Sequence, residues 1–150
     1  MNIAWKYIDK TVATIAAIRD YSSMRANINN TPDAIKELYQ SMSTPRNSVP
    51  TGMPSVHNPQ AGESILATQI DKLDILRERY STAVEYMAWF EPAWGMLTDT
   101  EQHILREFYM CGSQRSGATH RLMAQLEYSE SHTERLRSLT LKRLQTLLLG

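Results

Sequence analysis

Residues 97–149 read LTDTEQHILREFYMCGSQRSGATHRLMAQLEYSESHTERLRSLTLKRLQTLLL, and this stretch decides the fold. Thr98-Asp99-Thr100-Glu101 fits the S/T-x-x-E capping box, with Leu97 ahead of it as a hydrophobic staple. Ile104, Leu105, Phe108 and Tyr109 then share one apolar face of a helix. Gly112 to Gly117 (GSQRSG) reads as a flexible polar loop. A second helix turns Leu122, Met123 and Leu126 inward, and a tight turn follows at Glu127-Tyr128-Ser129. Ser129 is a good N-cap for a final helix whose buried stripe is Thr133, Leu136, Thr140, Leu144 and Leu147. Three helices in this order, with a tight turn before the last, form the helix-turn-helix arrangement that lays a helix in the DNA major groove. The fold class expected is all-α, with residues 97–150 as the helix-turn-helix module.

On that pattern the face of the final helix opposite the apolar stripe carries the chemistry. Glu130, Ser131, Glu134 and Arg135 occupy its first two turns and are the base-contact candidates. Arginine suits guanine and a carboxylate suits the cytosine amino group. Arg115, His120, Arg121, His132, Arg137, Lys142 and Arg143 are candidates for the DNA backbone, where contacts hold register without reading sequence.

The other regions frame this module. Four of the six prolines fall in STPRNSVPTGMPSVHNPQAG, so residues 43–62 read as a flexible linker rich in Pro and Ser. Ahead of it, residues 1–42 form a helical arm. Ala4, Ile8, Thr11, Ile15, Ile18 and Ser22 recur at helical spacing, and a second helix starts at Thr31-Pro32-Asp33, a cap, a favoured first residue and an acid at the positive dipole end. After the linker, Leu66, Ile70, Leu73, Leu76, Tyr80, Ala83, Met87 and Phe90 recur in steps of three and four, close to a heptad seam. This gives one long helix over residues 63–91, stopped by Pro92 and Gly95. Its narrow stripe matches that of the arm, so the two are expected to pair as an antiparallel hairpin or coiled-coil arm. Whether this arm is a scaffold or makes a homodimer stays open on spacing alone.

Composition sets bounds. The 150 residues are 42% hydrophobic and 21% charged, within the range of globular proteins. Formal net charge is zero, where a nucleic-acid binder usually carries a basic excess. The charge is uneven, however. From residue 115 onward Arg115, Arg121, Arg135, Arg137, Lys142 and Arg143 face only Glu127, Glu130 and Glu134, a local balance of +3. The single cysteine, Cys111, rules out an intrachain disulfide. The N-terminus lacks the apolar run of a signal peptide, and no stretch is long enough to span a membrane, so a cytoplasmic protein without a membrane partner is expected.

Enzyme chemistry finds no support. The six glycines are scattered rather than forming a phosphate-binding loop, and His57, His103, His120, His132 and Cys111 lack zinc-ligand spacing. No cofactor or metal is expected. Acid pairs such as Asp33/Glu37 and Asp71/Asp74 read as solvated helix surface, and no base can be named for Cys111. The tryptophans Trp5, Trp89 and Trp94 are expected to pack between arm and module.

The run Leu126-Glu127-Tyr128-Ser129-Glu130-Ser131, with Arg135-Leu136 and Leu141-Lys142-Arg143-Leu144, resembles region 4 of bacterial sigma factors. It resembles more closely the small phage-encoded sigma-region-4-like regulators of the ArpU/RinA type. The likeness covers about 55 C-terminal residues well, the long helix loosely, and the arm only in architecture. It implies a transcriptional regulator of a bacterial host cell that binds double-stranded DNA, with bacterial RNA polymerase as a further partner. Carried over, the groove positions are Glu130, Ser131, Glu134 and Arg135, with His132 at the edge. The chain departs from the family in two respects. Met123 stands where a small residue is favoured, and Glu130-Ser131-His132 stand where sigma factors place arginines, so the target sequence does not carry over. The competing expectations are a non-enzymatic adaptor whose module binds a protein such as RNA polymerase or an assembly factor, and a DNA-packaging protein.

Overall fold

In the structure, a computed structural model, residues 3–43 and 59–150 are described, with backbone alone for residues 4, 5, 59, 61 and 113–115. Every regular element among them is helical. In chain order they are a 3-10 helix Ile3–Tyr7, α1 Lys10–Ser43, α2 Pro59–Gly95, α3 Asp99–Leu105 running into a π-helical turn Arg106–Met110, a 3-10 helix Gly112–Gly117, α4 Ala118–Leu126 and α5 Glu130–Leu149. No helix among the described residues is long and apolar enough to cross a membrane. The chain divides into two compact units, one of residues 1–24 with 85–150 and one of residues 25–84.

Several expected boundaries move, each for a physical reason. α1 begins at Lys10 rather than near Ala4, because the Asp9 carboxylate accepts from Thr11 N at 3.0 Å and Val12 N at 3.1 Å and so caps the helix. No new helix starts at Thr31, because α1 runs through Pro32. Ile28, Thr31, Ile35, Leu38 and Met42, all buried or half-buried, continue one stripe in steps of three and four across the proline. Packing of that stripe outweighs the loss of one backbone hydrogen bond at Pro32. Pro92 likewise does not stop α2, which ends at Gly95. Pro92 lies on the exposed side, while Phe90, Ala93 and Trp94 around it are buried. Of the expected linker over residues 43–62, Ser43 and residues 59–62 are helical, and 44–58 lie outside the described residues, as does His57. The GSQRSG segment is a 3-10 helix rather than a loop.

The unit of residues 1–24 and 85–150 holds the main core. Ile18, Phe90, Trp94, Leu97, Ile104, Leu105, Phe108, Leu122 and Leu144 are all buried in it. Burying each large side chain contributes about 1.5–3 kcal/mol. Phe90 is its aromatic hub, with ring centroids 5.3 Å from Tyr86 and 5.5 Å from both Tyr21 and Trp94. Tyr86 donates a hydrogen bond to the Ala17 carbonyl, and burial pushes its phenol well above the usual range. Tyr21 Oη and the Glu91 carboxylate are 2.8 Å apart. Trp94 is buried here, whereas Trp89 is largely exposed and its indole donates to the Leu148 carbonyl at 3.3 Å. The side chain of Trp5 is outside the described set.

The unit of residues 25–84 is two helical segments, 25–43 of α1 and 59–84 of α2. The Arg77 guanidinium donates to Tyr39 Oη at 2.6 Å between them. The α2 stripe is only partly covered. Leu73 and Ala83 are buried and Leu76 half-buried, but Leu66 and Ile70 remain 51% and 47% exposed.

Candidate nucleic-acid interface

The α4–turn–α5 segment is assembled by local rules that were legible and one that was not. Ser129 caps α5 as expected, its hydroxyl accepting from His132 N at 3.2 Å. The Thr133 hydroxyl returns to the Ser129 carbonyl at 2.9 Å, which helps explain why a threonine is buried there. α4 ends on Glu127 with φ 56° and ψ 35°, the only non-glycine residue with positive φ among those described. A left-handed residue at this place ends a helix and redirects the chain within a few residues. Three residues, Glu127 to Ser129, therefore separate two helices that both rest on the same core.

At the front of the module Thr98 caps α3, accepting from Glu101 N at 3.3 Å. The capping box is one-sided. The Glu101 carboxylate turns to the Arg143 guanidinium at 2.6 Å, and Arg143 also donates to the Met96 carbonyl at 3.2 Å. The π-helical turn that follows puts the adjacent residues Phe108 and Tyr109 both in the core.

α5 buries Thr133, Thr140, Leu141 and Leu144. The Leu136 and Leu147 of the expected stripe are half-buried, and Leu141 is the more deeply covered residue. Opposite them Ser131, Arg135, Ser138 and Lys142 are all exposed and follow each other in steps of four, three and four, so they form one polar face about three turns long. Arg135 and Lys142 have no ion pair among the described residues. Leu139, 54% exposed, borders that face. Beside it a groove of 390 Å³ is lined by residues including Thr98, Tyr128, His132, Leu136 and Leu139. The Tyr128 and His132 rings meet edge to face there, with centroids 4.6 Å apart.

The structure divides the sequence candidates. Glu130, Ser131, Arg135, His120, His132 and Lys142 are exposed. Glu134 is half-buried at the α4 side of α5, accepting from the Thr119 hydroxyl at 3.2 Å and lying 3.3 Å from Arg137. Arg137 also lies over the Phe108 ring, 4.8 Å from its centroid. Arg121 is bound to Glu107 at 2.7 Å, and Arg143 to Glu101. So three of the expected backbone-contact arginines already hold carboxylates within the fold. The side chain of Arg115 lies outside the described set. The partners Glu101 and Glu107 escaped the sequence reading because they are 42 and 14 residues from their arginines, beyond any local pattern. Among the described residues no cluster of His, Cys, Asp and Glu is arranged to hold a metal ion.

Comparison with family models, with curated proteins and with solved structures finds no match to the chain.

Proposed function

We propose that the chain is a phage-type transcriptional regulator whose residues 97–150 form a sigma-region-4-like helix-turn-helix and bind duplex DNA through α5. The observation that carries this reading is the exposed face Ser131, Arg135, Ser138, Lys142, on a helix capped by Ser129 and set off from α4 by the left-handed Glu127. On this reading Arg135, near the α5 N-terminus, reads a base edge, Ser131 and Glu130 flank it, and Lys142 holds a phosphate further along. His120 and His132 are backbone contacts at the edges. Glu134 acts from the side, held by Thr119 and Arg137. The helices of residues 1–91 dimerise the chain or dock it on RNA polymerase of the bacterial host.

The test is selection of binding sites from a random duplex pool with the full chain and with Arg135→Ala. The wild-type chain recovers a motif, and the variant loses about 1–3 kcal/mol of discrimination at one base position. A pool with no enriched sequence, or a variant with unchanged preference, refutes the reading.

A second reading, an adaptor that contacts protein rather than DNA, draws on two observations. Arg121, Arg137 and Arg143 are taken up by carboxylates, and the exposed face borders a groove of mixed polar and apolar lining at Leu136 and Leu139. Failure of the selection together with retention of RNA polymerase on the immobilised chain supports this alternative.

A further inference from the structure

Among its described residues the unit of residues 25–84 has little buried core between its two helical segments. The buried ones among them are Thr31, Leu73 and Ala83, and of these Leu73 alone is a large apolar side chain. Tyr39, Leu66, Ile70, Ile75, Tyr80 and Val84 are exposed in the same unit. Two helices pack along one line and leave open flanks, and helical domains close those flanks with further helices.

One flank has a defined shape and charge. A groove of 460 Å³ runs between the α1 and α2 segments of this unit, with Leu38, Ile75 and Leu76 on its apolar walls. Ile75 is 56% exposed there and, with Leu38 and Leu76, gives the groove its apolar surface. The α1 wall carries the acid Glu37, and the α2 wall carries the bases Lys72 and Arg79. None of these three has an ion pair among the described residues. The groove therefore bears both halves of a charge match, one on each wall.

We infer that this groove is the interface for a second copy of the same chain, giving a four-helix bundle of two α1 and two α2 segments. A two-fold interface is self-complementary, because each residue pair occurs twice. A two-fold axis along the groove sets the α1 wall of each copy against the α2 wall of the other. Glu37 of one copy then meets Lys72 and Arg79 of the other, and the two Ile75 side chains close the centre. A partner of uniform charge would match only one wall. The inference deepens the dimer half of the reading above, and its test involves no DNA, so the two stand or fall separately.

The experiment is sedimentation equilibrium of the full chain over a concentration series, with helicity checked by circular dichroism. The wild-type chain is expected at twice the 17.2 kDa of one copy. Ile75→Glu, a change at an exposed position, is expected to keep its helicity and raise the dimer dissociation constant about 100-fold, since the side chain is lost from both copies. Glu37→Lys is expected to raise it about 10-fold by placing like charges together. Adding Lys72→Glu and Arg79→Glu to Glu37→Lys is expected to restore the wild-type constant. A wild-type chain that stays monomeric at about 100 µM, and so has a dimer dissociation constant weaker than that, overturns the inference. A dimer indifferent to both single substitutions, or a triple variant that fails to recover, overturns it as well.

Discussion

Replacing Glu127 by glycine tests the turn on which the whole α4–α5 arrangement depends. Glu127 sits at φ 56° and ψ 35°, within the left-handed region, and its side chain is exposed. An L-residue there carries a strain of about 1–2 kcal/mol from crowding between its Cβ and the following carbonyl oxygen. Glycine removes the Cβ and with it that strain. It also gives the unfolded chain more conformations to lose, at a cost of about 0.4–1 kcal/mol. The two ranges differ by about 0–1.6 kcal/mol, and their midpoints leave Glu127→Gly more stable than wild type by about 0.8 kcal/mol. For a chain of this length that is a rise of about 1–4 °C in Tm, read by circular dichroism at 222 nm. Glu127→Asn, which tolerates this conformation, should gain less, and Glu127→Val, which resists it, should lose about 1 kcal/mol or more. The order Gly, Asn, Glu, Val is what the backbone angle requires. If glycine instead destabilises while valine is neutral, the residue is not left-handed, and the redirection of the chain between α4 and α5 has been misread.

Ser129→Ala removes the hydroxyl that accepts from His132 N, and should cost about 1 kcal/mol in urea unfolding, with Ser129→Asp close to wild type. Leu122, fully buried between α4 and the core, should cost about 2–5 kcal/mol when cut to alanine, with the midpoint in urea falling accordingly. Tyr86 gives a pH prediction. Its phenol titrates higher in the folded chain than in the unfolded one because of burial, so its contribution is complete below about pH 10 and declines as the pH rises above that, where the unfolded chain loses the proton first. Tyr86→Phe should lose about 0.5–1.5 kcal/mol at pH 7 with the hydrogen bond to Ala17, and should show a shallower decline in stability between pH 10 and 11 than wild type.

The sequence was most readable where a single short-range rule decides the outcome. Ser129 and Thr98 cap because a small hydroxyl beside the first turn has few competing uses. Leu122, Ile104, Leu105 and Leu144 are core because their helical spacing admits one buried face. It was least readable where packing opposes a local rule. Pro32 and Pro92 read as boundaries, yet the apolar stripe runs past each of them and the helices follow it. Asp9 is hard to read as a cap because the apolar spacing begins five residues earlier, at Ala4. On the candidate interface, the exposed positions of Ser131, Arg135 and Lys142 follow from helix geometry alone. The fate of Arg121 and Arg143 does not, since it depends on Glu107 and Glu101 arriving from other elements, whereas Arg137 pairs with Glu134 three residues earlier on α5 and takes only its Phe108 contact from elsewhere.

Those internal pairs have a consequence for how the chain would behave on DNA. Of the arginines and lysines of α4 and α5, Arg135 and Lys142 have no carboxylate partner among the described residues. Each phosphate neutralised releases condensed counterions, so the logarithm of the binding constant falls against the logarithm of salt with a slope of about −0.9 per contact. With Lys142 as the phosphate contact and Arg135 reading a base edge, raising salt from 50 to 200 mM weakens binding by each copy only about three- to fourfold, against about 10³–10⁵-fold for proteins with six to ten contacts. Random genomic DNA would then be a shallow trap for the proposed regulator. Little of it would be titrated away by non-target sequence, and occupancy of its site would rest on fit at α5 and on the second copy rather than on charge.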